Sequence, residues 1–421
     1  MTTFQLAALV VTLAAALAYI NTRVLKLPAS VGLMAIALLG SIALLALDAT
    51  HVVDLSPRVA ALVSQLDFGN TLLHGMLGLL LFAGALHIDV AELGMEKLSV
   101  GLLALVGTAL SAAIVGGASY AMLHALGHDI RLIDALLFGA LIAPTDPIAV
   151  LGMLKSGGAP RRLEARIAGE SLFNDGVGVV IFTVLLEVAD GASTSPTGAL
   201  WLFVREALGG AAFGLACGYA VLRLMRSIDD YSVEVLLTLA LVLGGYVAAE
   251  QLGLSAPIGA VVAGLMIGNK GRSAMSAPSR ESVDLFWKLI DEILNAVLFL
   301  MIGLAIMIVP VSASVASAAA LAIPLVLAAR WVSVASTLSL VPRVRKEIPH
   351  SITVLTWGGL RGGLSIAMAL ALPAGRAHDT ILVMTYVVVA FSILVQGLSF
   401  GALLRALGVC SPAGSKPETA P

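Results

Sequence analysis

The sequence contains few charged residues. Asp, Glu, Lys and Arg make up 12% of its 421 residues, about half the fraction that is usual in soluble globular proteins. Hydrophobic residues make up 59%, and the mean hydropathy is +1.02. This composition excludes a soluble globular protein. It predicts an all-α polytopic membrane protein, in which apolar runs of about 20 residues cross the bilayer as helices.

Cysteine is also scarce, and no histidine or cysteine cluster suggests a transition-metal centre. Cys217 lies in an apolar run and Cys410 lies near the C-terminus, so their positions suggest neither a disulfide framework nor a zinc site. We therefore expect no enzymatic activity, no cofactor and no nucleic-acid partner. The sequence begins Met-Thr-Thr-Phe-Gln without the basic segment of a signal peptide, so the first apolar run is expected to remain as an uncleaved helix.

No part of the sequence suggests a separate soluble domain. The longest loop, Asp48 to Gly69, mixes apolar and acidic residues and could form a short helix at the membrane interface. The segment 411–421 is rich in proline and is predicted to be a short, disordered tail. The chain has neither a long regulatory tail nor an N-glycosylation sequon, which favours the inner (plasma) membrane of a prokaryote.

Thirteen apolar spans are predicted. Most of the 24 Lys and Arg residues fall in loops that share one side of the membrane if successive spans alternate in direction. The positive-inside rule then places the N-terminus outside and the C-terminus in the cytoplasm. Two small-residue patterns, Gly210-x3-Gly214 and Gly264-x3-Gly268, predict places where helices pack closely.

Two of these spans are interrupted at membrane depth. The fifth, Leu132 to Leu154, contains Ala143-Pro-Thr-Asp-Pro147, and each proline removes a helical hydrogen bond and clashes with the preceding turn. The twelfth, Ser351 to Leu372, places four glycines around an arginine in Gly358-Gly-Leu-Arg-Gly-Gly363, which is a poor helix interior. The two spans run in opposite directions, which is typical of an inverted repeat whose two broken helices cross at the substrate site.

The sixth span, Ile167 to Val188, carries two acids and an amide. Ionisable groups at membrane depth cost about 3 kcal/mol or more each, so they are functional candidates. Glu170 and Asn174 are four residues apart, as are Ser171 and Asp175, so the two pairs form adjoining polar stripes on one side of the helix.

Asp146 of the fifth span is expected to meet Asp175. Hydroxyls of Thr145 and Ser171, with carbonyls freed by the break, would complete an all-oxygen site for a hard cation such as Na⁺. Burial disfavours the charged form of a carboxylate, so the same oxygens could hold either protons or a metal cation. The alternative is that both aspartates are structural polar groups, which the two broken helices make less attractive.

Two arginines at membrane depth, Arg330 and Arg361, could neutralise Glu170. Chemistry alone leaves open which of them does so, and the other would lie against the negative end of a half-helix. His74, His87, Glu250 and the pair Asp291 and Glu292 could sense pH, although interface or cavity-rim positions explain them more simply.

The interrupted motifs and the acidic span together resemble the monovalent cation:proton antiporter superfamily, in its NhaP/NHE branch. Four motifs carry this resemblance: Ala143 to Pro147, Gly169 to Asp175, Ala329-Arg330 and Gly358 to Gly362. The resemblance implies an NhaA/NhaP-like fold of 13 helices with an inverted repeat and two broken helices.

The resemblance also assigns roles. It implies that Asp146 and Asp175 bind the ion and the proton, that the Thr145 carbonyl and Ser171 are further ligands of Na⁺, and that Asn174 steadies the site. An Asn-Asp pair in place of Asp-Asp implies electroneutral exchange of one Na⁺ for one H⁺.

Three further positions follow from the same resemblance. Glu170 and Arg330 match the salt bridge of the family between the sixth and eleventh spans, and Arg361 is expected to stabilise the site. Some archaeal relatives have a ligand glutamate in the third span, where this sequence has Ala83, so the ligand number or affinity is expected to differ.

The resemblance divides the single membrane domain, 1–421, into two parts. Segments 1–97 and 228–310 are expected to form a homodimer interface, and segments 98–190 and 311–410 a mobile, ion-transporting core, with 411–421 as a cytoplasmic tail.

The leading hypothesis is therefore an electroneutral Na⁺(Li⁺)/H⁺ antiporter that works by alternating access. A K⁺/H⁺ antiporter of the same fold, a sodium-coupled symporter of an organic solute and a channel or scaffold are the alternatives.

Overall fold

The computed structural model describes residues 2–49, 56–191, 196–310, 313–341, 350–373, 375 and 377–409. Within these ranges the regular structure is helical, apart from one isolated backbone bridge. Nine helices in these ranges are long and apolar enough to cross a membrane. The tail expected at 411–421 lies outside the described residues.

Sixteen helices are described, some of which include a short π-helical turn. In chain order they are α1 (Thr3–Ile20), α2 (Ala29–Ala49), α3 (Ser56–Gln65), α4 (Phe68–Leu86), α5 (Val90–Ala125), α6 (Leu132–Ile142), α7 (Ile148–Ser156), α8 (Arg161–Ala189), α9 (Pro196–Met225), α10 (Tyr231–Gln251), α11 (Ala256–Lys270), α12 (Ala277–Ala305), α13 (Ala313–Ser339), α14 (Ser351–Trp357), α15 (Gly363–Leu370) and α16 (His378–Ala406).

Polar residues at the helix starts supply caps. The side chains of Asp89, Asp230, Ser255 and Ser276 accept hydrogen bonds from backbone N–H groups two or three residues further on, at the starts of α5, α10, α11 and α12. The loop in which an interface helix was expected contains α3, a helix of 10 residues. Local sequence therefore explains where these helices begin.

The predicted close packing at small residues is confirmed. A Cβ added at Gly210 or Gly214 of α9 would collide with backbone carbonyls of α11 or of the residue just before it. A Cβ added at Gly264 or Gly268 of α11 would collide with the backbone of α4. Glycine at these positions lets the helix backbones approach more closely than larger side chains would allow.

Two helical passages are interrupted in the middle of the bundle. Helix α6 ends at Ile142 and α7 begins at Ile148, while α14 ends at Trp357 and α15 begins at Gly363. Residues on both sides of each interruption belong to one large buried apolar cluster. Backbone polar groups in such surroundings need internal partners.

Candidate ion-binding site

The two interruptions lie against each other. The N–H of Asp146 donates to the carbonyl of Leu360 at 2.7 Å, and these two residues form an antiparallel bridge. The extended segment between α6 and α7 therefore pairs with the one between α14 and α15. This pairing gives the broken backbone some of the hydrogen bonds that the missing helical turns would have made.

Arg361 provides further partners for the broken backbone. Its guanidinium Nη1 donates to the carbonyls of Ala143 and Pro144, the latter at 2.9 Å, and its backbone N–H donates to Ser392 Oγ at 2.9 Å. Ala143 immediately follows the last residue of α6, so the buried cation lies at the negative end of this half-helix. Ser392 begins a π-helical turn in α16, a kind of irregularity often found at functional sites.

Asp146 and Asp175 line one cavity of about 760 Å³. Both residues are partly exposed, so neither carboxylate is sealed in dry packing. Two carboxylates in one cavity disfavour each other's ionisation. Asp146 Oδ1 accepts the N–H of Ile148 at 2.9 Å, which fixes one of its oxygens at the start of α7. The structure thus brings together the two acids that the sequence singled out.

Thr145, Ser171 and Asn174 form a buried hydrogen-bond network beside these acids. Asn174 Nδ2 donates to Thr145 Oγ1 at 2.8 Å, and the N–H of Thr145 donates to Asn174 Oδ1 at 3.2 Å. Thr145 Oγ1 and Ser171 Oγ are 3.0 Å apart. Thr145 and Ser171 also line the cavity. The amide of Asn174 therefore holds the segment between α6 and α7 against α8.

Glu170 lies next to Arg330. Arg330 Nη1 is 2.5 Å from Glu170 Oε1, and both side chains are buried. Arg330 Nη2 also donates to the carbonyl of Leu355 at 3.2 Å. A Cβ at Gly359 would lie 2.7 Å from Arg330 Nε, so a glycine there makes room for the guanidinium. The alternative partner of Glu170, Arg361, is engaged instead with the carbonyls that end α6.

A second buried ion pair was missed by the sequence reasoning. Arg166 of α8 donates to Glu96 Oε2 of α5 through Nε at 3.1 Å and through Nη2 at 2.7 Å. Arg166 precedes the predicted sixth span, Ile167 to Val188, but it is fully buried in the second turn of a helix that already begins at Arg161. No local pattern indicates this pair, because its members are 70 residues apart.

The third span and α12 supply other parts of the cavity wall. Ala83 lines the cavity, so α4 presents a methyl group where some relatives are expected to have a carboxylate. Asp291 and Asn295 of α12 line it as well, and Asn295 Nδ2 donates to Asp291 Oδ1 at 3.0 Å. His87 also lines the cavity, and its Nδ1 lies 2.8 Å from the Ala83 carbonyl.

His74 and Glu250 lie away from the described cavity lining. His74 Nδ1 is 2.7 Å from Glu250 Oε1, and both side chains are exposed. The two residues link α4 with α10.

Acidic residues outnumber basic ones among the described residues of the cavity wall. The acids are Asp89, Glu92, Asp146, Glu164, Asp175, Asp291 and Glu292, and the lysines are Lys155 and Lys288. A cleft with this charge attracts cations, because the surrounding low-dielectric walls focus the field. Carboxylate, hydroxyl and carbonyl oxygens are ligands that suit hard cations.

Residues 10–406 match the family described as sodium/hydrogen exchanger, transmembrane. The chain is 46% identical over 415 residues to the Na(+)/H(+) antiporter NhaP of Pseudomonas aeruginosa, an alignment that covers 97% of this chain and 98% of that protein. It is 34% identical over 396 residues to the Na(+)/H(+) antiporter NhaH of Halobacillus dabanensis, with coverage of 92% and 94%.

A similar fold is found in the structure of the sodium proton antiporter MjNhaP1 from Methanocaldococcus jannaschii. The TM-score is 0.73 over 95% of this chain and 97% of that one, at 19% sequence identity. At this identity the likeness shows the fold, and the family assignment depends on the sequence matches. The chain is an integral, multi-pass membrane protein that belongs to the NhaP-type sodium/hydrogen exchangers of the monovalent cation:proton antiporter superfamily.

Proposed function

We propose that this protein exchanges one Na⁺, or Li⁺, for one H⁺ across the membrane by alternating access. The observation that carries the proposal is that Asp146 and Asp175 line the same cavity at the crossing of two broken helices. The relatives named as Na(+)/H(+) antiporters support the choice of ions.

Competition for the same oxygens would couple the two ions. Two neighbouring carboxylates repel each other, and this repulsion is relieved when a cation binds between them or when one of them takes up a proton. A bound Na⁺ therefore expels protons, and protonation expels Na⁺. The Thr145 carbonyl and Ser171 Oγ would be further ligands of the metal ion.

The position of Asn174 supports a one-for-one exchange. Both polar atoms of its amide are engaged with Thr145, and an amide does not titrate in the physiological range. The position that is an acid in Asp-Asp relatives is therefore occupied here by a structural group, which leaves Asp146 and Asp175 as the two acids next to it that carry charge.

The helix layout supports a topology of thirteen passages. To the nine long apolar helices of the described ranges, this proposal adds four further passages. These are α11, α12, the interrupted pair α6 and α7, and the interrupted pair α14 and α15. The basic loops place the N-terminus outside and the C-terminus in the cytoplasm, in a prokaryotic plasma membrane. The cavity then opens to the cytoplasm, since Lys155 and Lys288 stand at that end.

Two groups of helices would move relative to each other. Segments 98–190 and 311–410 carry Asp146, Asp175 and the breaks, and would form the mobile core. Segments 1–97 and 228–310 would form the homodimer interface and a static wall.

Exchange assays in proteoliposomes test the function. With an imposed pH gradient, addition of Na⁺ or Li⁺ should move protons, and clamping the membrane potential should leave the rate unchanged if exchange is one for one. A response to K⁺ equal to that for Na⁺ would identify the K⁺/H⁺ alternative, and no cation-dependent proton movement would refute the proposal.

Site variants make the same assay specific. We expect Asp146→Asn and Asp175→Asn each to abolish exchange. An amide cannot take up a proton in place of the carboxylate, so the altered site can no longer bind both Na⁺ and H⁺. Glu281→Gln removes an exposed carboxylate outside this cavity lining and should exchange as the unmodified protein does. Normal exchange by Asp175→Asn would contradict the assignment. A sodium-coupled organic solute symporter is disfavoured because no described lining residue is Phe, Tyr or Trp.

A further inference from the structure

We propose that Asp291 and Asn295 of α12 form a second cation site, which an incoming ion occupies before it reaches Asp146 and Asp175. This inference rests on the proposed cation exchange and adds a binding step to it. The site lies on the wall of the cavity that faces the broken helices, outside the segments that carry the two aspartates.

The positions along α12 support this placement. Asp291, Asn295 and Leu298 are spaced by four and three residues, so they share one face of the helix. Leu298 packs directly against Gly363, the first residue of α15. At 1.5 Å per residue, Asp291 lies about 10 Å further along the helix axis than Leu298. The face that carries the pair is therefore the one that meets the broken region.

The electrostatic surroundings make Asp291 suitable for a cation. Asp291 and Asp146 line the same cavity, where like charges repel each other. Asp291 accepts a hydrogen bond from Asn295 of its own helix, and His87 of α4 and Glu292 of α12 line the same cavity. A cation held at Asp291 would relieve the repulsion with Asp146 and would already be in the cavity that Asp146 lines.

The Asn295 side chain provides a second, independent observation. Only 7% of Asn295 is exposed, and its Oδ1 has no hydrogen-bond partner among the described residues. Leaving a buried amide oxygen without a partner costs about 1–3 kcal/mol. Turned towards Asp291, this oxygen would be a cation ligand next to a carboxylate on the cavity wall.

A simple rotation would let both side chains bind the same ion. In the structure Asn295 Nδ2 faces Asp291 Oδ1 at 3.0 Å. Turning the amide by half a turn would exchange its nitrogen and oxygen, and two oxygens would then face each other. That arrangement is unfavourable when empty and favourable with a cation between them. The hydrogen bond to Asp291 therefore keeps the empty site ordered.

The Na⁺ dependence of exchange in everted membrane vesicles tests this site, because the proposed cytoplasmic face is then in contact with the medium. Asp291→Asn should raise the KM for Na⁺ about fivefold, which corresponds to about 1 kcal/mol, with little change in the maximal rate. Asn295→Ala should raise the KM in the same direction. A role that is only structural would lower the amount of folded protein without moving the KM.

Glu292→Gln is the matched control. It removes the same charge from the neighbouring residue, whose side chain is 61% exposed and lies 3.9 Å from Lys288. We expect its KM to rise by less than about twofold, since exposed charges are screened. Equal rises for Glu292→Gln and Asp291→Asn would overturn the proposal, because a general loss of negative charge would explain both.

The remaining outcomes separate this proposal from the function itself. If the unmodified protein exchanges Na⁺ for H⁺ and Asp291→Asn has an unchanged KM, the second site is refuted while the function stands. A lower maximal rate at unchanged KM also refutes it. If the unmodified protein shows no exchange, the proposed function has failed first, and the second site fails with it.

Discussion

At the scale of single residues, the buried ion pair between Glu170 and Arg330 carries a large desolvation cost. Removing two charges from water is expensive, and their mutual attraction offsets this cost only when the geometry is good. Arg330 Nη1 lies 2.5 Å from Glu170 Oε1 and Nη2 donates to the Leu355 carbonyl, so the two charges attract each other at close range, while Glu170 Oε1 and Arg330 Nε have no hydrogen-bond partner among the described residues. The two residues nevertheless differ in how each responds when the other is replaced by an apolar residue.

An asymmetric loss of stability should follow from this difference. Glu170→Leu leaves an arginine that stays charged, because a guanidinium does not lose its proton in proteins. Arg330→Met leaves a carboxyl group that can take up a proton, and a neutral carboxyl group avoids the cost of burying an unpaired charge. We expect a loss of about 3–5 kcal/mol for Glu170→Leu, a smaller loss for Arg330→Met, and partial recovery in the double variant.

Thermal unfolding of the purified protein in detergent would give this order of Tm values. A Tm for Glu170→Leu equal to that of the unmodified protein would show that the pair contributes little. A double variant less stable than either single variant would show that the two residues stabilise the fold through other contacts.

At the scale of elements, the broken helices depend on glycine as much as on charge. Gly359 makes room for Arg330, and Gly362 makes room for Asp146, because a Cβ at Gly362 would lie 2.5 Å from Asp146 Oδ2. The half-helices also pack tightly, since a Cβ at Gly178 of α8 would collide with the ring of Pro144. The glycines between α14 and α15 thus leave room for the side chains of Arg330 and Asp146 around the proposed ion site.

Gly362→Ala should therefore impair exchange without unfolding the protein. The added methyl group would push the Asp146 carboxylate out of place, and displacements of about 1 Å at a reacting group cost on the order of 100-fold in enzymes. We expect a loss of exchange of about tenfold or more in the proteoliposome assay, with normal yield in detergent.

Gly117→Ala in α5 is the control for this substitution. A Cβ there meets no atom of the described structure within 4 Å, so the change should leave exchange intact and stabilise the helix by about 0.5–1 kcal/mol. If Gly362→Ala and Gly117→Ala exchange at equal rates, the exchange activity does not depend on the observed position of the Asp146 carboxylate.

The sequence predicts these elements better than it predicts their contacts. Pro144 and Pro147, the glycine run and the spacing of Glu170 to Asp175 act locally, so the interruptions and the gathering of Asp146, Thr145, Ser171 and Asp175 could be anticipated.

Contacts between distant segments could not be anticipated in the same way. The ion pair of Glu96 with Arg166, and the position of Asp291 on the cavity wall that also contains Asp146, depend on how helices far apart in the chain are aligned and rotated. Hydrophobic periodicity carries little of that information in a bundle whose helices are apolar on nearly every side. The choice between Arg330 and Arg361 as the partner of Glu170 was open for the same reason.

At the scale of the whole molecule, the cavity connects exposed residues with partly buried ones. Its wall includes the exposed Lys155 and Lys288, whereas Asp146 and Asp175 on the same wall are only partly exposed. Arg361 does not line this cavity; it is buried and donates to the carbonyls of Ala143 and Pro144, just after the end of α6. In the proposed alternating-access cycle, this arrangement corresponds to the state that is open towards the proposed cytoplasmic side.

Accessibility of single cysteines from each side of the membrane tests this state and the orientation together. In a variant with Cys217 and Cys410 replaced by alanine, Ala168→Cys places a thiol on the cavity wall. Leu126→Cys places one at the opposite end of the bundle, where Leu126 is 39% exposed.

A membrane-impermeant thiol reagent should label Ala168→Cys in everted vesicles and Leu126→Cys in right-side-out vesicles. The reverse pattern would mean that the topology is opposite to the proposed one, and labelling of Ala168→Cys from both sides would mean that the cavity opens outward as readily as inward.

Since cation binding favours a state in which the two carboxylates share the ion, Na⁺ should change the labelling rate of Ala168→Cys and leave that of Leu126→Cys unchanged.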